Sequence, residues 1–500
     1  MTSDSKPPQR SFPRLQPASD RQGHRGQPRQ GQSPASRQGG RHASKPRHAP
    51  SSSIQPLNPK KLSEDDVLDF FCPCPRGLEQ VLADELKALG ATAVEITHGG
   101  VACQGKLQLA YRINLEARLP SRVMLRLIEA PCPHEHALYR LCHSIGWENW
   151  FSAQHTLRVD VVAIRSPLKS LNFATLRIKD AIVDHFRERG GIRPSIDTRN
   201  PDVRIHAFLN ADRLQLYLDL SGEPLFKRGW RSSQDRHVSA PLKENLAAGL
   251  LALSGWQPGQ PLGDLFCGSG TIIIEAAQQL CQRAPGLDRK FGIEQLSIHQ
   301  PALFDELLSK LRERARQGIE AAPKNLLWAS DLDADAIELA RDNLALAGLP
   351  KDIVQFQVAD AATMLPPVSL HTQEPQADGH TAIAHRHDSA SVDVDVDAVK
   401  DAPDTSNIPT SAKATTPTAN SQTGIIVSNP PYNERVEIPI EHWRDIGRNL
   451  RDHFGGWHVF LLTSDRGLPG QLGLRERHKT PLFNGAIECR LFDFEMRVRG

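Results

Sequence analysis

The chain has 500 residues, 24% charged and 39% hydrophobic, and its 60 Lys and Arg against 58 Asp and Glu leave a formal net charge of +2. That length suggests roughly two to four domains. No apolar run reaches the ~18 residues of a membrane span, which excludes a transmembrane helix, and the basic start, rich in Pro, Gln and Ser, does not read as a secretory signal. Eight cysteines without regular spacing argue against a disulfide framework and for a reducing, cytoplasmic setting.

In chain order, residues 1–65 come first as a polycationic stretch. Within 1–61, twelve Lys and Arg oppose only Asp4 and Asp20, giving +10 and leaving −8 for the rest. With so few apolar side chains the stretch cannot offset its chain entropy, so it is expected to be disordered, either as a counterion-releasing arm for nucleic acid or as a solubility tail. From 68 to about 100 the pattern predicts strand, helix, strand, with Leu78, Val81, Leu82, Leu86 and Leu89 at helical spacing after the Arg76-Gly77 turn. Residues 107–130 predict a helix and then a strand over 123–128, and 157–164 alternates as a strand. A helix is expected over 172–189, with an apolar face of Phe173, Leu176, Ile178, Ile182, Val183 and Phe186. A hairpin over 203–209 and 214–220 turns at Asn210-Ala211-Asp212. This half is α+β. Cys132, His134, His136, Cys142 and His143 lie close in sequence, but no Cys-x-x-Cys pair is present and a helix after Pro133 would scatter them. No metal site is expected.

From 242 the pattern changes to strands alternating with helices. Helices are expected over 242–253, 272–281 and 334–347, and strands over 262–266, 325–330, 353–358, 424–428 and 457–463. This order predicts a mostly parallel, doubly wound α/β sheet whose ligand sits at the carboxyl ends of the strands. One stretch, 366–423, interrupts it. Eight acids oppose three bases there, and although Val392 to Asp397 alternates like a strand, its acidity and flanks predict a solvated, disordered insertion.

Four strings fall at strand ends. Asp264-Leu265-Phe266-Cys267-Gly268-Ser269-Gly270-Thr271 joins the first strand to its helix. It lacks the Gly-Lys-Ser/Thr of a phosphate loop and the third glycine of a dinucleotide fingerprint, but its glycines let a ligand lie against the backbone. Cys267 reads as a small core residue. Asp331 and Asp360 close the next two strands, where a carboxylate is placed to accept ribose hydroxyls and an adenine amine respectively; Asp333 is free to cap the following helix. Asn429-Pro430-Pro431-Tyr432 follows the fourth strand. Two prolines fix a rigid turn and donate no N–H, leaving the Asn429 side-chain oxygen and the Pro430 carbonyl as acceptors for the two N–H groups of an exocyclic base amine, with the Tyr432 ring for stacking.

These strings resemble the motifs of class I S-adenosyl-L-methionine-dependent amino-methyltransferases. Arg76-Gly77-Leu78-Glu79, Gly99-Gly100-Val101, 176–182, and Leu218-Asp219-Leu220-Ser221-Gly222 resemble a ferredoxin-like plus THUMP RNA-binding module. With Arg228-Gly229-Trp230-Arg231, 240–244 and the closing Asn484-Gly485-Ala486-Ile487-Glu488-Cys489, the whole is similar to the large-subunit ribosomal RNA guanine-N2-methyltransferases over about 68–365 and 424–500. The resemblance implies a ferredoxin-like subdomain over 66–110, a THUMP domain over 111–222, and a Rossmann-like methyltransferase domain over 223–500. It implies methylation of a guanine N2 in 23S rRNA, at guanine 2445, on naked rRNA or an assembly intermediate. The cofactor would be S-adenosyl-L-methionine, held by Asp264, Phe266, Cys267, Gly268, Gly270, Thr271, Asp331 and Asp360, and the target base would be held by Asn429, Pro430, Pro431 and Tyr432. Leu265 and Asn433 depart from the family's usual Pro and Gly. No DNA, membrane or oligomeric partner is expected, nor a second, 7-methylguanosine-forming domain, since the sequence ends at Gly500. A tRNA guanine-N2-methyltransferase and a non-catalytic RNA-binding assembly factor remain open. DNA adenine-N6 and release-factor glutamine methyltransferases share the Asn-Pro-Pro-Tyr turn, but the THUMP-like half argues against both.

Overall fold

The computed structural model describes residues 55–168, 170–231, 242–366, 423–431 and 438–498. Residues 1–54 of the basic stretch, the alternating run at 392–397, most of the acidic insertion and Tyr432 lie outside the described residues. The last part of the stretch, expected to be disordered to 65, is instead ordered from 55: the Leu57 N–H donates to the Leu127 carbonyl at 2.8 Å, Pro59–Lys61 forms a short 3-10 turn, and Asp65 pairs with Lys106 at 2.7 Å.

The N-terminal half builds one seven-stranded sheet. Its elements are β1 (Leu68–Pro73), α1 (Glu79–Ala88), β2 (Thr92–Thr97), β3 (Gly100–Gly105), α2 (Leu107–Glu116), β4 (Met124–Pro131), α3 (Glu135–His143), β5 (Leu157–Ile164), α4 (Leu171–Gly190), β6 (Val203–Asn210) and β7 (Arg213–Asp219). The strand order is β2-β3-β1-β4-β7-β6-β5. Alternation along β6 and β7 buries Ile205, Ala207, Leu209, Leu214, Leu216 and Leu218 on one face. The helix expected over 172–189 forms, but Phe173 and Leu176 are about half exposed and α4 buries Ala174, Ile178, Ala181, Ile182, His185 and Phe186 instead. The buried arc is centred on alanines, which a search for large apolar side chains passes over.

The C-terminal half contains α5 (Glu244–Leu253), β8 (Leu262–Asp264), α6 (Thr271–Leu280), α7 (Pro301–Ala321), β9 (Leu327–Asp331), α8 (Ala334–Leu346), β10 (Val354–Val358), β11 (Ile425–Ser428), α9 (Ile440–His453), β12 (His458–Thr463), α10 (Leu468–Leu472), β13 (His478–Asn484) and β14 (Ile487–Glu495). Their strands form a second sheet in the order β10-β9-β8-β11-β12-β14-β13. The first five run parallel and the closing hairpin is antiparallel. Strand order reverses beside β8, so β8 and β11 flank the switch point where such sheets take ligands. The expected strand over 262–266 stops at Asp264, because Leu265 and Phe266 already form a turn.

The two sheets are joined by close packing. Glu79 accepts from the Gly77 N–H at 2.8 Å and the Gly99 N–H at 3.3 Å, which ties the turn before α1 to the β2–β3 turn. Gly77 has φ +92°, and a Cβ there would meet the Pro481 carbonyl of β13. Arg76 lies 4.0 Å from the centroid of the Phe483 ring. The Arg-Gly-Leu-Glu string and the closing hairpin are therefore two sides of one contact. Behind it, Gly249 of α5 presses on Leu78 so closely that any side chain would collide. The buried Glu275 of α6 pairs with Arg118 at 3.1 Å and Arg228 at 2.9 Å, locking the N-terminal half onto the helix that follows the glycine-rich turn.

Candidate functional site

The glycine-rich turn starts from a buried carboxyl. Asp264 is 1% exposed. Its Oδ1 accepts from the Ser428 hydroxyl at 2.7 Å and the Phe266 N–H at 3.2 Å. Ser428 Oγ in turn accepts the Leu265 N–H at 2.7 Å, so one hydroxyl stitches the end of β8 to the end of β11. Burial, against the Ser428 and Phe266 hydrogen bonds, pushes the Asp264 carboxyl up to about 7. Burial also holds the Cys267 thiol well above its ordinary range, with Asp264 and Asp331 adding repulsion, so it sits as a protonated core residue.

Gly268 and Gly270 adopt φ +50° and +82°, a region side chains resist. A Cβ on Gly268 would meet nothing within 4 Å, so the backbone there faces open space. Thr271 is buried as the first residue of α6, and its hydroxyl lies 3.4 Å from the Arg231 guanidinium. Phe266 packs against Trp443 of α9, ring centroids 6.0 Å apart.

Asp331 lies across this turn. One carboxylate oxygen accepts the Gly268 N–H at 2.8 Å and the other the Asp333 N–H at 3.1 Å. Asp333 caps α8, as expected. Asp331 is nevertheless not free, since it also shapes the glycine turn. Asp360 follows β10; its Oδ1 accepts the Ala362 N–H at 2.8 Å and lies 3.2 Å from His442 Nε2 of α9. Asn449, also of α9, donates to the Ala361 and Met364 carbonyls and holds that turn in place. Leu332 and Val358 are 71% and 52% exposed at the ends of β9 and β10. Carboxylate acceptors beside uncovered apolar side chains and open glycine backbone suit a nucleoside, with its hydroxyl and amine donors, that carries a polar tail.

Asn429 follows Ser428 directly. Its side-chain Oδ1 is buried and has no hydrogen-bond partner among the described residues. A buried amide oxygen left unpaired costs about 1–3 kcal/mol, which a donor from a ligand would recover. Pro430 is buried and Pro431 half-buried beside it. The structure thus brings Asp264, Gly268, Gly270, Asp331, Asp360 and Asn429 to one edge of one sheet. Ser428, His442 and Asn449 were not anticipated. A serine closing the apolar run Ile425-Ile426-Val427 was a readable signal; for the two α9 residues the sequence carries none.

A sheet of this order, with a glycine turn after its first strand and Asn-Pro-Pro after its fourth, defines a class I methyltransferase domain, here behind a ferredoxin-like and THUMP module. Family models agree. Residues 228–373 and 401–493 match the RMKL-like methyltransferase domain, 133–219 the THUMP domain and 69–124 the RlmL ferredoxin-like domain, so the chain carries an RMKL-like methyltransferase domain preceded by THUMP and ferredoxin-like domains. It is 37% identical over 440 residues to the ribosomal RNA large subunit methyltransferase K/L of Syntrophotalea carbinolica, covering 86% of this chain and 54% of that protein. To the protein of that name from Aeromonas hydrophila it is 35% identical, with the same coverage. The chain spans about half the length of the curated relatives it matches. Among solved structures, the SMU.472 protein, solved with SAH, superposes with TM-score 0.67 at 23% identity, covering 88% of this chain and all of that one. TrmN from Thermus thermophilus superposes with TM-score 0.55 at 18% identity, covering 86% of this chain and all of that one. These two likenesses are of fold.

Proposed function

We propose that the chain transfers a methyl group from S-adenosyl-L-methionine to the exocyclic N2 of a guanine in large-subunit rRNA, acting in the cytoplasm. The observation that carries this reading is the unpaired, buried Oδ1 of Asn429 beside a proline that offers only a carbonyl. An aryl amine has two N–H donors; two fixed acceptors take both and turn the nitrogen lone pair toward the open edge of the sheet. Asp331 would hold the ribose and Asp360 the adenine side, while Asp264, Phe266, Cys267, Gly268, Gly270 and Thr271 would shape the pocket for the methionine part. S-adenosyl-L-methionine supplies an electrophilic sulfonium methyl when bound there. The protein's contribution is to position the amine, exclude water and leave Asn429 and Pro430 as acceptors for the hydrogens that acidify as the nitrogen gains a methyl. A guanine inside a duplex cannot reach such an edge, so it must be presented unpaired or flipped. The relatives named as large-subunit rRNA enzymes favour that RNA over tRNA.

The test uses labelled S-adenosyl-L-methionine with separate pools of unmodified large-subunit rRNA and tRNA, digested to nucleosides. N2-methylguanosine from the rRNA is expected. Label in tRNA alone would keep the chemistry and change the substrate; SAH binding with no label in either would favour a non-catalytic RNA-binding factor.

A further inference from the structure

Asp360 is held from a helix that lies far from it in sequence, and its two carboxylate oxygens are held unequally. Oδ1 accepts the Ala362 N–H at 2.8 Å and lies 3.2 Å from Nε2 of His442. Oδ2 has neither a hydrogen-bond nor an ion-pair partner among the described residues. The Asp360 and His442 side chains are each 32% exposed, so the pair borders the open edge of the sheet and not its core. A carboxylate offers only acceptors. The ring must therefore bring a proton to it, as the Nε2–H tautomer or as the imidazolium. Two N–H groups on one oxygen resist rotation of the carboxylate, because a turn would exchange the held oxygen for the bare one.

The helix that carries His442 is itself fixed over this turn. Asn449 lies seven residues further along α9, which returns it to nearly the same face. Its amide donates to the Ala361 and Met364 carbonyls at 3.0 and 2.7 Å. Between them, Trp443, Ile446 and Leu450 share one buried apolar cluster with Ala361 and Met364. Trp443 also packs on Phe266 of the glycine-rich turn. α9 thus spans the edge from the glycine turn to Asp360, and His442 is the residue of its first turn that meets the carboxylate.

We propose that His442 is a positioning residue that sets the base specificity of the cofactor site: it pins Asp360 through Oδ1, so that Oδ2 alone is offered to the exocyclic amine of adenine. The inference rests on the placement of S-adenosyl-L-methionine read above and adds what fixes its base. A pinned acceptor takes a donor and rejects a carbonyl in the same place, because two acceptors then face each other. Hypoxanthine presents that carbonyl, but it also carries an N–H on the neighbouring ring nitrogen, where adenine has a bare nitrogen. A carboxylate free to turn would reach this N–H and accept from it. Discrimination between the two bases therefore depends on holding Asp360 still, and no group on the page besides the Ala362 N–H and His442 holds its Oδ1.

The full chain is compared with His442→Ala, His442→Gln, Asp360→Ala and the double variant of His442→Ala with Asp360→Ala. Binding is measured for SAH and for its deaminated analogue, which has hypoxanthine in place of adenine, and KM and kcat are measured for methyl transfer to large-subunit rRNA. Melting temperature confirms that each variant is folded. His442→Ala is expected to weaken SAH about tenfold and to lower the preference for SAH over the analogue by a similar factor. KM for S-adenosyl-L-methionine should rise in step, with kcat within about twofold. His442→Gln keeps an N–H donor at about the reach of Nε2 and is expected to restore most of both losses. In the double variant, His442→Ala should cost nothing beyond Asp360→Ala. Wild-type affinity and preference in folded His442→Ala overturn the inference. A Gln variant no better than Ala, or a further loss in the double variant, also overturns it, since His442 would then act on the base directly. Wild-type affinity and preference in Asp360→Ala would instead overturn the placement of adenine at Asp360.

Discussion

Asp264 shows how one side chain is asked for opposite things by folding and by the site. Its carboxyl titrates near 7 in the folded chain, against 3.8 ordinarily, because it is buried. A carboxyl raised on folding binds its proton more tightly in the native state. Its contribution to stability is therefore whole below about pH 3.8, declines as pH rises, and is lost above about 7, a swing on the order of 4 kcal/mol. Asp264→Asn keeps the shape and the acceptor for the Ser428 hydroxyl but removes the titration. We expect its melting temperature to exceed that of wild type at pH 8 and the two to converge toward pH 5, as followed by calorimetry; parallel profiles would show that the carboxyl does not titrate there. Asn429 is asked for one thing only. Asn429→Ala removes the unpaired Oδ1, relieving a buried polar atom, so the fold is expected to survive. Methyl transfer should fall at least 100-fold while RNA affinity stays within a few-fold, as read by nucleoside analysis and a binding assay. Loss of RNA binding would make the turn a structural one.

Elements carry the relation between sequence and structure unevenly. β5 was legible to the residue, because Leu157, Val159, Val161 and Ala163 place an apolar side chain at every second position. The strand-end strings were legible because a turn after an apolar run has few other purposes. Asp264 and Asn429 come from opposite ends of the domain's sequence, yet both could be read locally. Ser428 could be read only as the close of a strand, not for its reach to the Asp264 carboxyl across 164 positions, and His442 not at all, since it acts by an approach of α9 to Asp360. α7 went unread although Phe304, Leu311 and Ala315 recur near helical spacing, since charged residues dominate that stretch. The β13–β14 hairpin was visible as a string but not as strands. Its reason is tertiary, for it meets the Gly77 turn. The packing of α1 on α5 gives a test at this scale. Gly249 leaves no room for a side chain against Leu78, so Gly249→Val must part the two helices. A loss of about 1–3 kcal/mol is expected by denaturant titration, with an unchanged result if α5 slides freely.

At the scale of the whole molecule, charge is sorted along the chain. The +10 over residues 1–61 precedes the first strand in sequence and the acidic insertion lies within the catalytic domain's sequence. If the basic stretch meets RNA, its removal lowers both affinity and the salt slope; an unchanged slope reduces it to a solubility device. The insertion poses a geometric question. β10 and β11 are both parallel to the strands between them, so the chain leaves β10 at the edge that carries Asp360 and must enter β11 at the opposite edge. They are three strand spacings apart, about 14 Å across the sheet, and the return along β11 adds a comparable length. A connection of five residues would be taut at about 3.3–3.6 Å each, whereas some ten reach with slack. Most of the insertion is therefore not needed to close the sheet. Replacing residues 370–420 by a Gly-Ser linker of about ten residues is expected to leave N2-methylguanosine formation within a few-fold of wild type. A folded variant that binds SAH and rRNA but no longer turns over would place the insertion at the active edge.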